Sequence, residues 1–189
     1  MICEGPCGKR KGRSSDAPAP QARDRQIQAL ASKTVDLSLS RAKEAAYRLL
    51  SYRDRSSKEI VSKLEEKGFP KEIVSQTISF LKDAGYLDDT RFARQWARSR
   101  MEFRRLGPVR LKQELLEKGI SSGEADAVLD RLSEERDPIQ SAEEALFRRF
   151  KDPALLQDLN HRQRAFVFLQ RKGFATETIL KVFRKIKER

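Results

Sequence analysis

Three times in 189 residues the chain brings a run with helical spacing to a glycine followed at once by a large apolar residue: "EEKGF" (65–69), "LEKGI" (116–120) and "QRKGF" (170–174). A glycine at the first position beyond a helix adopts the left-handed conformation that closes it, and the next residue packs back on the third residue from the end. Counting from each glycine gives the same three partners: Leu64, Gly68 and Phe69; Leu115, Gly119 and Ile120; Leu169, Gly173 and Phe174. Lys67, Lys118 and Lys172 fall in the last turns, where a cation complements the helix dipole. A chain that writes one corner three times is constrained to be a repeat.

The match extends on both sides. Ten residues after the glycines stand Ile78, Leu129 and Phe183, and thirteen after stand Leu81, Leu132 and Ile186. Eight before stand Ile60, Leu111 and Ala165. The glycines are 51 and 54 residues apart, so the unit is about 50 residues, the signature of an array whose units stack on their neighbours. No segment alternates with the two-residue period of a strand. The expected fold is all-α: three three-helix repeats over 40–88, 89–138 and 139–189, forming an elongated, curved tandem array. The expected helices are 41–53, 57–67, 71–84, 89–104, 108–118, 122–135, 140–150, 162–172 and 176–187. "SSKE" and "SSGE" read as capping boxes on Ser56 and Ser121. Pro108 and Pro153 suit first helical turns. Residues 151–160 read as a loop with a helical turn.

Residues 1–39 differ in kind. The first 26 are rich in Gly, Pro, Ser and charge and bury too little to offset the entropy of ordering, so a disordered basic tail is expected. Residues 27–40 carry apolar positions without a sustained period and read as a loose or short helical lead-in. Cys3 and Cys7 lie in this tail and read as free thiols, because the sole histidine, His161, is far down the chain and leaves no zinc set. No apolar run reaches the roughly 20 residues of a membrane span, and the first 30 residues lack a secretory apolar segment, so a cytoplasmic chain is expected.

The composition excludes most chemistry. With one histidine, no Gly-x-Ser-x-Gly, no phosphate-binding glycine loop and no dinucleotide fingerprint, the common enzyme classes have no support, and no cofactor or metal is implied. Asp88 and Asp89 are adjacent carboxylates, but at a helix start they are better used as caps. What remains is charge. The net charge is +12, and residues 141–189 carry half of it, twelve lysines and arginines against six acids. An excess of that size favours polyanions.

Two helices concentrate the surplus. "TRFARQWARSRMEFRRLG" (90–107) sets Phe92, Trp96 and Phe103 on an apolar side with Ala93 and Ala97. Arg91, Arg94 and Arg98 follow one stripe of it, and Arg100, Arg104 and Arg105 crowd its end. The helix reads either as a core helix with a solvated arginine face, its last arginines answering the dipole, or as a surface for phosphates or an acidic partner, whose oxygens arginine forks match. The last helix sets Ile179, Val182, Phe183 and Ile186 inward and leaves Arg184 and Lys185 outside. The candidate binding surface is therefore Arg91, Arg94, Arg98, Arg104 and Arg105 with Arg171, Lys172, Arg184 and Lys185.

The corners, together with "LLSYRDRS", "GYLDDTRFA", a helix ending in "R…LGP", and "ELLEKGI", resemble the RecX family of regulatory proteins over residues 41–187. The resemblance implies a non-enzymatic modulator of the RecA recombinase. Such a protein lies in the groove of the RecA–single-stranded-DNA filament and restrains its growth, ATP hydrolysis, strand exchange and co-protease activity in recombination, DNA repair and the SOS response. It implies RecA and single-stranded DNA as partners, with double-stranded DNA a further candidate, and a monomer with no membrane contact. The family pattern assigns nothing to the N-terminal tail. The alternative is a stand-alone DNA-binding helical module, favoured by the charge but without an identifiable base-reading helix.

Overall fold

A computed structural model describes residues 20–151, 156 and 158–188, with side chains from residue 34 onward. The described chain is helical from end to end: α1 Pro20–Tyr52, α2 Ser57–Glu66, α3 Lys71–Asp83, α4 Asp89–Ser99, α5 Pro108–Glu117, α6 Ser122–Glu135, α7 Pro138–Arg149, α8 Leu159–Lys172 and α9 Thr176–Lys187. A π-helical turn, Arg100–Arg104, prolongs α4.

The helix pairs that pack extensively all lie within one repeat, and in each repeat the third helix crosses the first. Three separate cores result. The first gathers Ala46, Ile60, Leu64, Val74, Leu81 and Leu87. The second runs from Phe92 to Leu132, and the third from Ala142 to Phe183. The corner leucines Leu64, Leu115 and Leu169 are fully buried, and Ile120 and Phe174 nearly so. Each unit thus closes on its own apolar face, the arrangement of a tandem array.

All three corners form as expected. The glycines have φ of 83°, 86° and 88° at Gly68, Gly119 and Gly173. The amides of Phe69, Ile120 and Phe174 donate to the carbonyls of Leu64, Leu115 and Leu169 at 3.2, 3.1 and 3.1 Å. Gly85 makes a fourth such ending, with the Tyr86 amide 2.9 Å from the Leu81 carbonyl.

Four local expectations need correction. Helix α1 begins at Pro20, so residues 20–26 are helix rather than tail, and 27–40 take the helical alternative as part of one long helix rather than a short lead-in. Val35 and Leu37 are exposed, so these two apolar positions mark no buried helix face that periodicity could register. The Ser56 box has only its forward half: Ser56 accepts from the Glu59 amide, while the Glu59 carboxylate is taken by Arg53 and Lys118. Ser121 and Glu124 form the full box. Helices α7 and α8 begin earlier than expected, at Pro138 and Leu159, each capped by an aspartate, Asp137 and Asp158. Phe103 leaves the apolar side altogether, because the π-helical turn adds a residue and rotates the face, and Met101 and Leu106 pack on the core instead. Pro153, Cys3 and Cys7 lie outside the described residues.

Candidate polyanion interface at the joint of the second and third repeats

The interface begins with how two repeats are fastened. The amides of Gly107 and Val109, at the start of α5, donate to the carbonyls of Lys172 and Gly173 at the end of α8, at 2.8 and 3.1 Å. A Cβ on Gly107 would stand 2.4 Å from the Gly173 carbonyl oxygen, and one on Gly173 would stand 2.2 Å from the Cβ of Arg110. Both glycines are spent on close approach.

That use has a consequence for α4. The chain must turn between Arg104 and Pro108, and the left-handed residue falls on Arg105, at φ 50° and ψ 50°, because the nearby glycine is committed to the joint. Left-handed conformations cost an L-residue about 1–2 kcal/mol. Arg105 is the only non-glycine with positive φ among the described residues, and its Nε is buried without a hydrogen-bond partner. A strained arginine after a π-helical turn, with an unsatisfied buried donor, is the kind of irregularity that concentrates at functional sites.

Around Arg105 opens a cleft of about 730 Å³. Repeat two contributes Arg104, Arg105 and Arg110, the last turn of α7 contributes Arg148 and Arg149, and the last turn of α8 contributes Arg171 and Lys172. Helix C-termini tolerate such cations because their carbonyl ends are negative. Among the described residues lining the cleft, one carboxylate, Glu114, stands against these seven cations. Its Oε2 accepts from Trp96 Nε1 at 3.2 Å and lies 3.3 Å from Arg100 Nε, while Oε1 lies 4.0 Å from Arg110 Nε. Burial, and then the charges of Arg105, Arg104 and Arg148, push the Lys172 ammonium below the usual lysine range. The Lys172 ammonium donates to the Arg104 carbonyl at 2.7 Å, which pins it among its like-charged neighbours. An anion entering the cleft would offset repulsion already present.

Of the residues expected to form the binding surface, the cleft unites Arg104, Arg105, Arg171 and Lys172. Arg94 lies elsewhere, beside Arg131, Glu134 and Glu135 of α6, and Arg98 is paired with Glu135. Lys185 is paired with Glu143 at 2.8 Å. Arg91 and Arg184 are exposed and outside the cleft. Arg110, Arg148 and Arg149 were not anticipated. Their signal was weak, since "FRRF" reads as an ordinary basic helix end until α7 and α8 are seen to finish beside α5. Asp88 and Asp89 are caps: Asp88 accepts from the Arg91 amide, and Asp89 from the Ser57 amide at the start of α2, both at 2.8 Å. Among the described residues no group of three or more His, Cys, Asp or Glu side chains is placed to hold a metal, and no helix is long and apolar enough to cross a membrane.

Comparison with known proteins agrees with this organisation. Residues 42–81 match the family model described as the first three-helix domain of RecX, and residues 88–129 the second. Regulatory protein RecX of Halorhodospira halophila is 36% identical over 137 residues, 72% of this chain and 83% of that one. Its namesake in Chlorobium phaeobacteroides is 31% identical over 154 residues, 79% and 98% of the two chains. The crystal structure of RecX from Lactobacillus salivarius superposes with a TM-score of 0.69 at 25% identity, covering 80% of this chain and 98% of that one. A second crystal structure, of a regulatory protein RecX, gives a TM-score of 0.70 at 27% identity over 88% and 78%.

Proposed function

The chain belongs to the RecX family, and from that premise we propose that it is a regulator that binds the RecA–single-stranded-DNA filament and restrains its activities. It acts by occupancy rather than catalysis: an array of helical repeats lies along the filament and holds neighbouring RecA protomers. The observation that carries this reading is the cleft at the second joint, lined among the described residues by seven cations and one acid. A filament of protein on DNA is a polyanionic assembly, and a concave basic surface focuses its field on such a partner.

The test is RecA's DNA-dependent ATP hydrolysis, followed as this protein is added from well below to above the RecA concentration. Inhibition at sub-stoichiometric amounts supports the reading, because one bound array then affects several protomers. A flat response across that range sinks it. Restraint of filament growth, strand exchange and co-protease activity belongs to the same proposal, each with its own assay.

A further inference from the structure

We propose that the cleft between the second and third repeats takes a stretch of single-stranded nucleic-acid backbone, with Phe103 as the platform for one base. This rests on the filament reading and deepens it, by assigning the cleft to the DNA strand rather than to a protein surface.

Three observations converge. The first is the cation set, which comes from four elements and leaves Arg148 and Arg171 exposed on the two helix ends that line the cleft. The second is Arg105, whose buried Nε has no acceptor and whose backbone is held in an unfavourable conformation. A phosphate oxygen is the acceptor that an arginine donor suits best. The third is Phe103, 78% exposed at the cleft lining although it belongs to a chain with apolar cores to fill. The π-helical turn that moves Met101 onto the core also turns Phe103 to solvent. An exposed aromatic ring beside a basic track is the combination that binds single strands, because phosphates follow the cations and any base stacks on the ring. An acidic protein segment would use the cations but not the ring. A duplex would keep its bases paired and stacked, out of the ring's reach.

The experiment is fluorescence anisotropy of a labelled oligothymidylate, an abasic strand of equal length and a duplex, each titrated with the intact protein at several salt concentrations. The variants are Phe103→Ala and the pair Arg148→Gln with Arg171→Gln, all at exposed positions, with thermal melting as the check on folding. The single strand should bind more tightly than the abasic strand and the duplex. Phe103→Ala should weaken oligothymidylate binding about ten-fold and leave the salt slope unchanged, since stacking neutralises no phosphate. The double glutamine variant should lower the slope of log affinity against log salt by about 0.7 for each phosphate that it no longer neutralises. Wild-type affinity in Phe103→Ala, equal binding of the abasic strand, an unchanged slope in the glutamine pair, or preference for the duplex would each overturn the assignment. Inhibition of RecA by a protein that does not bind the bare strand removes this inference and leaves the filament reading standing. Strand binding without any effect on RecA does the reverse.

Discussion

The amide of Gly107 donates to the carbonyl of Lys172 across 2.8 Å, and with that bond the amide end of α5 meets the carbonyl end of α8. The first joint repeats the theme with different donors. The Ser56 hydroxyl donates to the Lys118 carbonyl at 2.7 Å and the Lys58 ammonium to the Glu117 carbonyl at 3.1 Å, joining the start of α2 to the end of α5. The second helices of the three repeats are therefore coupled end to end. Helix ends carry backbone groups without partners inside their own helix, and opposite ends attract through their dipoles. Each joint satisfies some of those groups and sets the angle between two repeats whose cores are otherwise separate. The basic cleft sits on one of these joints, so its shape depends on a few backbone contacts.

The corner glycines are expected to differ in what they tolerate. Gly68 and Gly173 share the left-handed conformation, at φ 83° and 88°, but a Cβ on Gly68 meets nothing within 4 Å. Gly68→Ala should lose only the conformational term, about 1–2 kcal/mol. Gly173→Ala adds a collision with the backbone nitrogen of Arg110 at 2.4 Å and should open the joint as well. Amide hydrogen exchange at Gly107 and Val109 reads this directly: faster in Gly173→Ala, unchanged in Gly68→Ala. Equal protection in the two variants would mean that the joint does not depend on the corner.

The first joint should weaken in acid. Burial opposes the charge on Glu59, but hydrogen bonds from Arg53 and Lys118, and their charges, bring its carboxyl from 4.5 down to about 2. A carboxyl whose folded value is depressed contributes stability that is present in full above the unfolded value and disappears as pH falls toward the folded one. The contribution of Glu59 should thus be complete above about pH 5 and fade between about pH 4.5 and 2. Protection from hydrogen exchange around Ser56–Ile60, taken relative to the intrinsic exchange rate at each pH, should fall across that window in the wild type. In Glu59→Gln protection should be lower already near neutral pH, with a smaller further loss on acidification. Parallel acid profiles for the two proteins would show that Glu59 does not carry the effect.

The corners were legible because their information is local: a glycine, its two apolar partners and a cation lie within six residues, and one helix-ending rule decides them. The cores followed, since the apolar offsets of Ile60, Leu111 and Ala165 repeat and all three are fully buried. The length of α1 was hidden because Val35 and Leu37, apolar positions ahead of the first repeat, are exposed and extend no buried stripe. The cleft was only half legible for a different reason. Arg104, Arg105, Arg171 and Lys172 stand next to helix ends that the sequence marks, whereas Arg148 and Arg149 join them only through the way α7 and α8 finish beside α5. Nor does a 3.6-residue period foresee a π-helical turn, which is what placed Phe103 outside and Arg105 in a strained conformation.

Charge reversal should rank the two basic surfaces. The sequence favours Arg94 and Arg98, and their reversal to glutamate is expected on that basis to weaken binding. The structure pairs Arg98 with Glu135 and sets Arg94 beside Glu134 and Glu135, which offsets their positive potential. Arg148 and Arg171 line the cleft, where Glu114 is the one carboxylate among the described residues. Arg148→Glu with Arg171→Glu should therefore reduce association with the RecA–DNA filament at least ten-fold, and Arg94→Glu with Arg98→Glu by a smaller factor. Co-sedimentation with preformed filaments measures both. A larger loss from the Arg94 and Arg98 pair would move the interface to the α4–α6 side.

Arg105 offers a test of whether strain is retained for binding. Its left-handed backbone favours glycine, so two truncations separate the conformation from the side chain. Arg105→Ala removes the guanidinium and keeps the unfavourable φ; Arg105→Gly removes both. Glycine should therefore be the more stable of the two by about 1 kcal/mol, measured by denaturant melts of the intact chain. Both lose the buried donor, and both should bind a single strand more weakly than the wild type, by a similar factor. The pairing of results matters: a glycine variant that is more stable yet binds less well shows that the arginine is held at that position against the preference of the backbone. Equal stability of the two variants would place no strain at Arg105, and undiminished strand binding by both would remove its side chain from the cleft's function.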